Sequence, residues 1–131
     1  MNDEVKFSLG GFSFTWDDAK AIANIRKHHV SFEIAAEVLL DKYAVDMYDD
    51  FHSEYEERYK IIGRIMDKET ILSVIYVERV NRGNVELIRI ISAREATRKE
   101  KELYGMELPE RLSARQRRSN RTYEDNQRRG Y

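Results

Sequence analysis

Phe12, Phe14 and Trp16 alternate with Ser13 and Thr15, a period of two that predicts a short strand with three rings on one face. Asp17 follows as an N-cap for a helix over Asp18 to His28, whose apolar stripe is built of alanines with Ile22 and Ile25. Ser31 caps a second expected helix, Phe32 to Leu40, with Phe32, Ala35, Ala36, Leu39 and Leu40 on one side. A weaker strand is expected around Tyr43 to Met47, then an acidic loop, Asp49 to Glu57, containing His52. From Arg58 the strand period returns: Tyr59, Ile61, Gly63 and Ile65 alternate with Arg58, Lys60, Ile62 and Arg64. Asp67-Lys68-Glu69 reads as a turn and Thr70 to Arg79 as a long strand. Asn81-Arg82-Gly83-Asn84 suits a turn with positive φ, and Val85 to Ser92 is the last strand. A charged helix is expected from Ser92 or Ala93 to about Tyr104, with Gly105 placed to end it.

This order, β-α-α-β-β-β-β-α, predicts an α+β fold: two N-terminal helices packed on a mainly antiparallel meander sheet, followed by a C-terminal helix. Gly10-Gly11 marks a joint, so residues 1–11 are expected to be a flexible N-terminus and residues 12–104 the domain. Residues 105–131 hold the chain's single proline, Pro109, and few apolar positions; they read as a basic, flexible C-terminal extension.

The turns propose a register. A three-residue turn at Asp67–Glu69 sets Lys60 opposite Tyr76, Arg58 opposite Glu78 and Ile61 opposite Ile75. A four-residue turn at Asn81–Asn84 sets Tyr76 opposite Arg89, Val77 opposite Ile88 and Ile75 opposite Ile90. One face then carries Tyr59, Ile61, Ile65, Ile71, Ile75, Val77, Ile88 and Ile90 as a core for the helices to cover. The other carries a row of Lys60, Tyr76 and Arg89 near Arg58, Arg64 and Glu78; a one-residue slip would invert the assignment. Such a row suits RNA. Arg and Lys bind phosphate oxygens, Tyr stacks on a base or moves a proton, and cleavage by an attacking 2′-hydroxyl needs a proton acceptor, a donor and cations around the developing charge. The alternative is a set of cross-strand surface ion pairs such as Arg58–Glu78, each worth little. In the expected last helix, Arg94 and Arg98 are i, i+4 neighbours, and a cation in the first turn, where the helix dipole disfavours it, points to an anionic partner.

Composition narrows the classes. The 131 residues are 41% hydrophobic and 36% charged, enough for one small core without staples. No cysteine is present, which excludes disulfides, thiolate metal sites and a cysteine nucleophile. No apolar run approaches the ~18 residues of a membrane span, and Met1-Asn2-Asp3-Glu4 does not open a signal peptide, so a cytoplasmic protein is expected. The net charge of −1 hides an asymmetry: residues 1–57 carry 5 basic against 13 acidic side chains, residues 58–104 carry 11 against 7, and residues 105–131 carry 7 against 4. Asp46, Asp49, Asp50, His52, Glu54 and Glu56 resemble hard-metal ligands, but they lack the central Gly and closing Glu of an EF-hand, and no metal or other cofactor is expected. His28 and His29 end the first helix, where an imidazole can cap the C-terminus or serve in catalysis.

Several of these segments together resemble the BrnT family of toxins from bacterial type II toxin–antitoxin systems. They are Phe14-Thr15-Trp16-Asp17-Asp18-Ala19-Lys20, Ala23-Asn24-Ile25-Arg26-Lys27-His28, and Val30-Ser31-Phe32-Glu33 with Ala35-Ala36. Further along come His52-Ser53, Glu56-Glu57-Arg58-Tyr59, Ile62-Gly63-Arg64, the run from Ile88 to Glu100, and Tyr104. The resemblance covers about residues 12–104. It implies a RelE-like fold and a metal-independent ribonuclease that arrests translation and growth. It also implies a BrnA-like antitoxin with a DNA-binding ribbon–helix–helix end, a higher-order toxin–antitoxin complex that represses its own operator DNA, and no membrane. Basic residues matching the family pattern are Lys27, His28, Arg58, Arg89, Arg94 and Arg98, whereas Lys60 and Tyr76 come from the register. Catalysis is expected from Arg58, Arg89, Arg94, His28 and Tyr76, and RNA binding from Lys27, Lys60 and Arg98. The chain departs from the family's Lys-His-Gly turn with Lys27-His28-His29, so His29 must accept or avoid a left-handed backbone. A catalytically weak binding module, acting with its antitoxin in autorepression, is the alternative.

Overall fold

The computed structural model describes residues 3–105. Six strands form one mixed sheet in the order β1-β2-β6-β5-β4-β3, with β1 at Glu4–Leu9, β2 at Phe12–Asp17, β3 at Val45–Tyr48, β4 at Tyr59–Arg64, β5 at Ile71–Asn81 and β6 at Asn84–Glu95. Three α-helices accompany it, α1 at Asp18–His28, α2 at Phe32–Ala36 and α3 at Arg98–Gly105. All neighbouring strands are antiparallel except β2 and β6, which pair in parallel at Phe14↔Ile88 and Thr15↔Arg89.

The expected RelE-like layout, two N-terminal helices on a mainly antiparallel meander sheet, is therefore corrected: the sheet is mixed, it has six strands, and strands dominate the fold. The omission began at the N-terminus. Gly10-Gly11 is not a loose joint but the tip of a hairpin, with φ of 57° and 83°, that folds Glu4–Leu9 back along β2. In β1, Val5, Phe7 and Leu9 alternate with Glu4, Lys6 and Ser8, so a residue-by-residue reading finds a half-buried strand there. The basic, flexible extension expected over residues 105–131 lies, from residue 106 on, outside the described residues.

Both helix starts form as their caps dictate. The Asp17 carboxylate accepts the Lys20 N–H (3.0 Å) and the Ser31 hydroxyl accepts the Ile34 N–H (3.2 Å). His29 does adopt the left-handed backbone (φ 60°, ψ 28°) and closes α1 by donating its N–H to Ile25 O at 2.9 Å. The second helix tightens after Ala36 into a 3-10 turn, Glu37–Leu40. Together they cover one sheet face, where Trp16 meets Phe32 edge-on at 5.8 Å and Phe7 at 5.6 Å. Gly63 lets this cover approach β4, since a Cβ there would stand 2.9 Å from Val38 Cγ1.

Register decides what each face carries. The first turn holds four residues, because Ile65 N–H bonds Thr70 O and Asp67 accepts the Glu69 and Thr70 N–H groups with Lys68 at φ 64°. The extra residue sets Tyr59, not Lys60, opposite Tyr76. Across the second hairpin Val80 pairs with Val85 as expected, but irregularities at Arg79/Val80 and Ile75/Tyr76 then shift the ladder. Tyr76 faces Ile90 and Val77 faces Arg89. The expected row Lys60–Tyr76–Arg89 does not form. On β5 the core residues are Leu72, Val74 and Tyr76, while Ile75 and Val77 share the other face with Lys60 and Arg89.

Candidate nucleic-acid interface

The second sheet face is where cations collect. Among the described residues α3 is the helix packed on it, its Tyr104 clustering with Ile62 and with Ala96 of the segment before the helix, and with Val45, Met47 and Ile71 around them. Arg94 belongs to β6, not to the first turn of a helix, so the expected dipole argument and its i, i+4 pairing with Arg98 do not apply. The strand instead carries Arg94 beside Ser73, which lies beside Ile62 one pleat from Lys60.

Glu100 of α3 reaches down into this group. Its carboxylate takes two hydrogen bonds from the Arg94 guanidinium (2.6 and 3.2 Å), and Lys60 Nζ lies 2.8 Å from Oε2. The Ser73 hydroxyl donates to it at 3.1 Å and the Thr97 N–H at 2.9 Å. In return the Glu100 N–H donates to Thr97 Oγ1 at 3.2 Å, so Thr97 and Glu100 form the reciprocal cap that starts α3. Glu100 is 6% exposed, a buried charge with every side satisfied. Burial alone would raise its pKa, but hydrogen bonds from Arg94, Lys60 and the Thr97 N–H outweigh that and hold it well below the ordinary carboxylate range.

A depressed acid stabilises the fold above its ordinary value, 4.5, and the contribution fades as acidification carries the pH down toward its folded value. Urea unfolding at pH 5 and pH 3 is therefore expected to show a loss in the wild type that is smaller in Glu100→Gln. Equal losses in both would show that Glu100 does not carry the acid sensitivity.

The other expected site residues divide by face. Arg89 shares the cationic face and pairs with Glu4 of β1. Arg58 enters β4 from the acidic loop, where Glu56 takes its guanidinium at 3.2 Å. Tyr76 is corrected outright: it is fully buried on the helix-covered face, stacked on Tyr59 at 5.8 Å, and its hydroxyl donates to Asp46 Oδ1 at 2.8 Å. It cannot stack on a base from there. Arg98 points into solvent, 93% exposed, with Glu102 at 3.5 Å. Lys27 is exposed in the last turn of α1, on the opposite side of the sheet from Lys60.

His28, half-buried, ends the same turn. Four residues earlier Asn24 grips β6: its Nδ2 donates to Ala93 O (2.8 Å) and Val30 O (2.9 Å), and its Oδ1 accepts the Ala93 N–H (3.1 Å). The parallel pairing of β2 with β6 ends at Arg89, so this amide serves backbone groups of Ala93 that no strand pairs on that side. His28 lies one turn beyond Asn24 on α1. Among the described residues no three His, Asp or Glu side chains converge as metal ligands would.

Glu100 escaped the reading of the sequence, although Thr97-Arg98-Lys99-Glu100 carries the spacing of a capping box. That signal marks a helix start at Thr97, which moves Arg94 out of the helix and into the strand. No described helix is long and apolar enough to cross a membrane.

Comparison with curated proteins gave no match. A family model described as the ribonuclease toxin BrnT of type II toxin–antitoxin systems matches residues 16–100, a span that holds Asn24, His28, Lys60, Arg89, Arg94 and Glu100. The chain belongs to the BrnT family of type II toxin–antitoxin ribonuclease toxins, and membership of such a system gives it an antitoxin as partner.

Proposed function

We propose that this chain is a metal-independent endoribonuclease whose cleavage of RNA inhibits translation, and that the reaction takes place on the cationic sheet face. The observation that carries this reading is the joining of Lys60 and Arg94 at one spot by strand register and α3. Each keeps unused N–H donors, and both side chains remain partly exposed, 27% and 37%. Arg94 and Lys60 hold the scissile phosphate and the charge that builds on it as the 2′-hydroxyl attacks. Arg89 and Arg58 bind flanking phosphates, with Ile75 and Val77 between the strands as an apolar floor for bases. Tyr76 is sealed in the core and His28 ends α1, which covers the other face of the sheet, so neither is the proton-transfer group beside Lys60 and Arg94 in this scheme.

A BrnA-like antitoxin with a ribbon–helix–helix end would block the reaction by laying acidic side chains over Lys60, Arg89 and Arg94, and would carry the complex to operator DNA. One observation favours the weaker binding module as a second reading. Glu4, Glu56 and Glu100 already partner Arg89, Arg58 and the Lys60–Arg94 pair, which lowers the attraction for RNA.

Cleavage of a defined single-stranded RNA by purified variants tests the choice. Arg89→Ala is expected to lower cleavage at least tenfold and leave the fold intact, because its Glu4 partner is half-exposed. Expression of the chain without its antitoxin is expected to arrest growth. A folded Arg89→Ala protein with unchanged cleavage removes Arg89 from the mechanism, and normal growth on expression favours the binding module.

A further inference from the structure

We infer that Glu100 is a positioning residue for RNA cleavage: its buried carboxylate fixes the Arg94 guanidinium and the Lys60 ammonium as one two-cation clamp for the scissile phosphate. The inference rests on the ribonuclease reading and adds to it a residue that never touches RNA. An acidic side chain beneath an RNA site is a cost by net charge, since it cancels one of the two positive charges above it. Its geometry points to what it provides. Both oxygens of Glu100 engage Arg94, at 2.6 and 3.2 Å, which fixes the plane of the guanidinium. Oε2 also holds Lys60 at 2.8 Å, so two cations from different strands are set against a single rigid anchor. The anchor is itself fixed by the Ser73 hydroxyl from β5 and the Thr97 N–H at the start of α3. Without it, two like charges on flexible side chains would swing apart into solvent, and the clamp would keep its charge and lose its shape.

Charge and shape make opposite predictions. Neutralising Glu100 leaves a more positive face, which by charge alone binds RNA as tightly or more tightly and cleaves it at least as fast. A positioning role instead lowers kcat while KM does not rise. In Glu100→Gln, kcat is expected to fall at least tenfold with KM unchanged or lower. Thr97→Ala removes the hydroxyl that caps α3 but leaves the carboxylate on both cations, and is expected to cleave within threefold of the wild type. Glu100→Asp keeps the buried charge and shortens its reach by one methylene, so it serves where the Gln variant fails to fold; its kcat is also expected to fall.

Cleavage by Glu100→Gln at the wild-type rate or faster overturns the inference. So does an equal loss in Thr97→Ala, which would make Glu100 a helix cap only. If the wild-type chain does not cleave, the ribonuclease reading falls by itself. The clamp is then judged by NMR relaxation of the Arg94 side-chain N–H groups. Loss of their order in Glu100→Gln sustains the positioning claim, and unchanged order overturns it.

Discussion

Arg94→Ala is expected to reduce RNA cleavage by about a hundredfold, the scale on which removing one charge-stabilising donor from a reaction centre acts. Among the described residues Arg94 is the one guanidinium held bidentately by a buried partner, so its orientation is set before RNA arrives. The variant also leaves Glu100 with Lys60, Ser73 and the Thr97 N–H but without its strongest partner, which is expected to cost roughly 2 kcal/mol of stability. Arg94→Lys separates the two effects. It restores a charge beside Glu100 but not the planar fork, so most of the stability is expected back and most of the activity is not. Cleavage assays with urea unfolding of both variants check this. Full activity in Arg94→Lys would mean that the site needs a charge there and no geometry.

Asn24→Ala is expected to be the most damaging small substitution away from the cations, at about 3 kcal/mol. The side chain makes three hydrogen bonds, and two of them satisfy the N–H and C=O of Ala93 inside the protein. Alanine takes away the side-chain partner of both buried backbone groups. The melting temperature is expected to fall by about 10–15 °C. Cleavage measured well below the new melting point is expected to fall too, because the same contact ties α1 to the strand that carries Arg94. A loss of stability below about 1 kcal/mol would show that water takes the place of the amide.

Local chemistry was legible in the chain, and long-range register was not. Asp17 and Ser31 each signal a helix start by a side chain that bonds a backbone N–H three residues on, and both bonds form. Phe14 and Trp16 are core because alternation alone puts them on one face. The recognition of the family rests on such local runs, and the matched span supports it. Tyr76 failed for a different reason. Its face depends on the count of residues in the turn that leads into β5, and the Asp67 loop holds four where three were expected. One residue there carried a proposed catalytic group into the core.

The parallel β2–β6 contact was invisible for a related cause. It joins residues more than seventy positions apart, and no turn between them specifies the pairing. Arg94 and Glu100 fall between these cases. Their contact is local, six residues apart, and the capping box at Thr97 was available to place it. What hid it was the expectation that an alternating strand, Val85 to Ser92, would stop at Ser92, whereas β6 continues to Glu95 past a register shift.

The metal-independent cleavage proposed for this chain is placed on the face that holds Lys60 and Arg94. The measurement that tests it most directly is cleavage of a defined RNA in EDTA by the purified chain, beside a folded Lys60→Ala, Arg94→Ala double variant. The predicted result is wild-type cleavage that survives EDTA and leaves 2′,3′-cyclic phosphate ends, with the double variant inactive. Cleavage that requires added metal, or that the double variant retains, would contradict it.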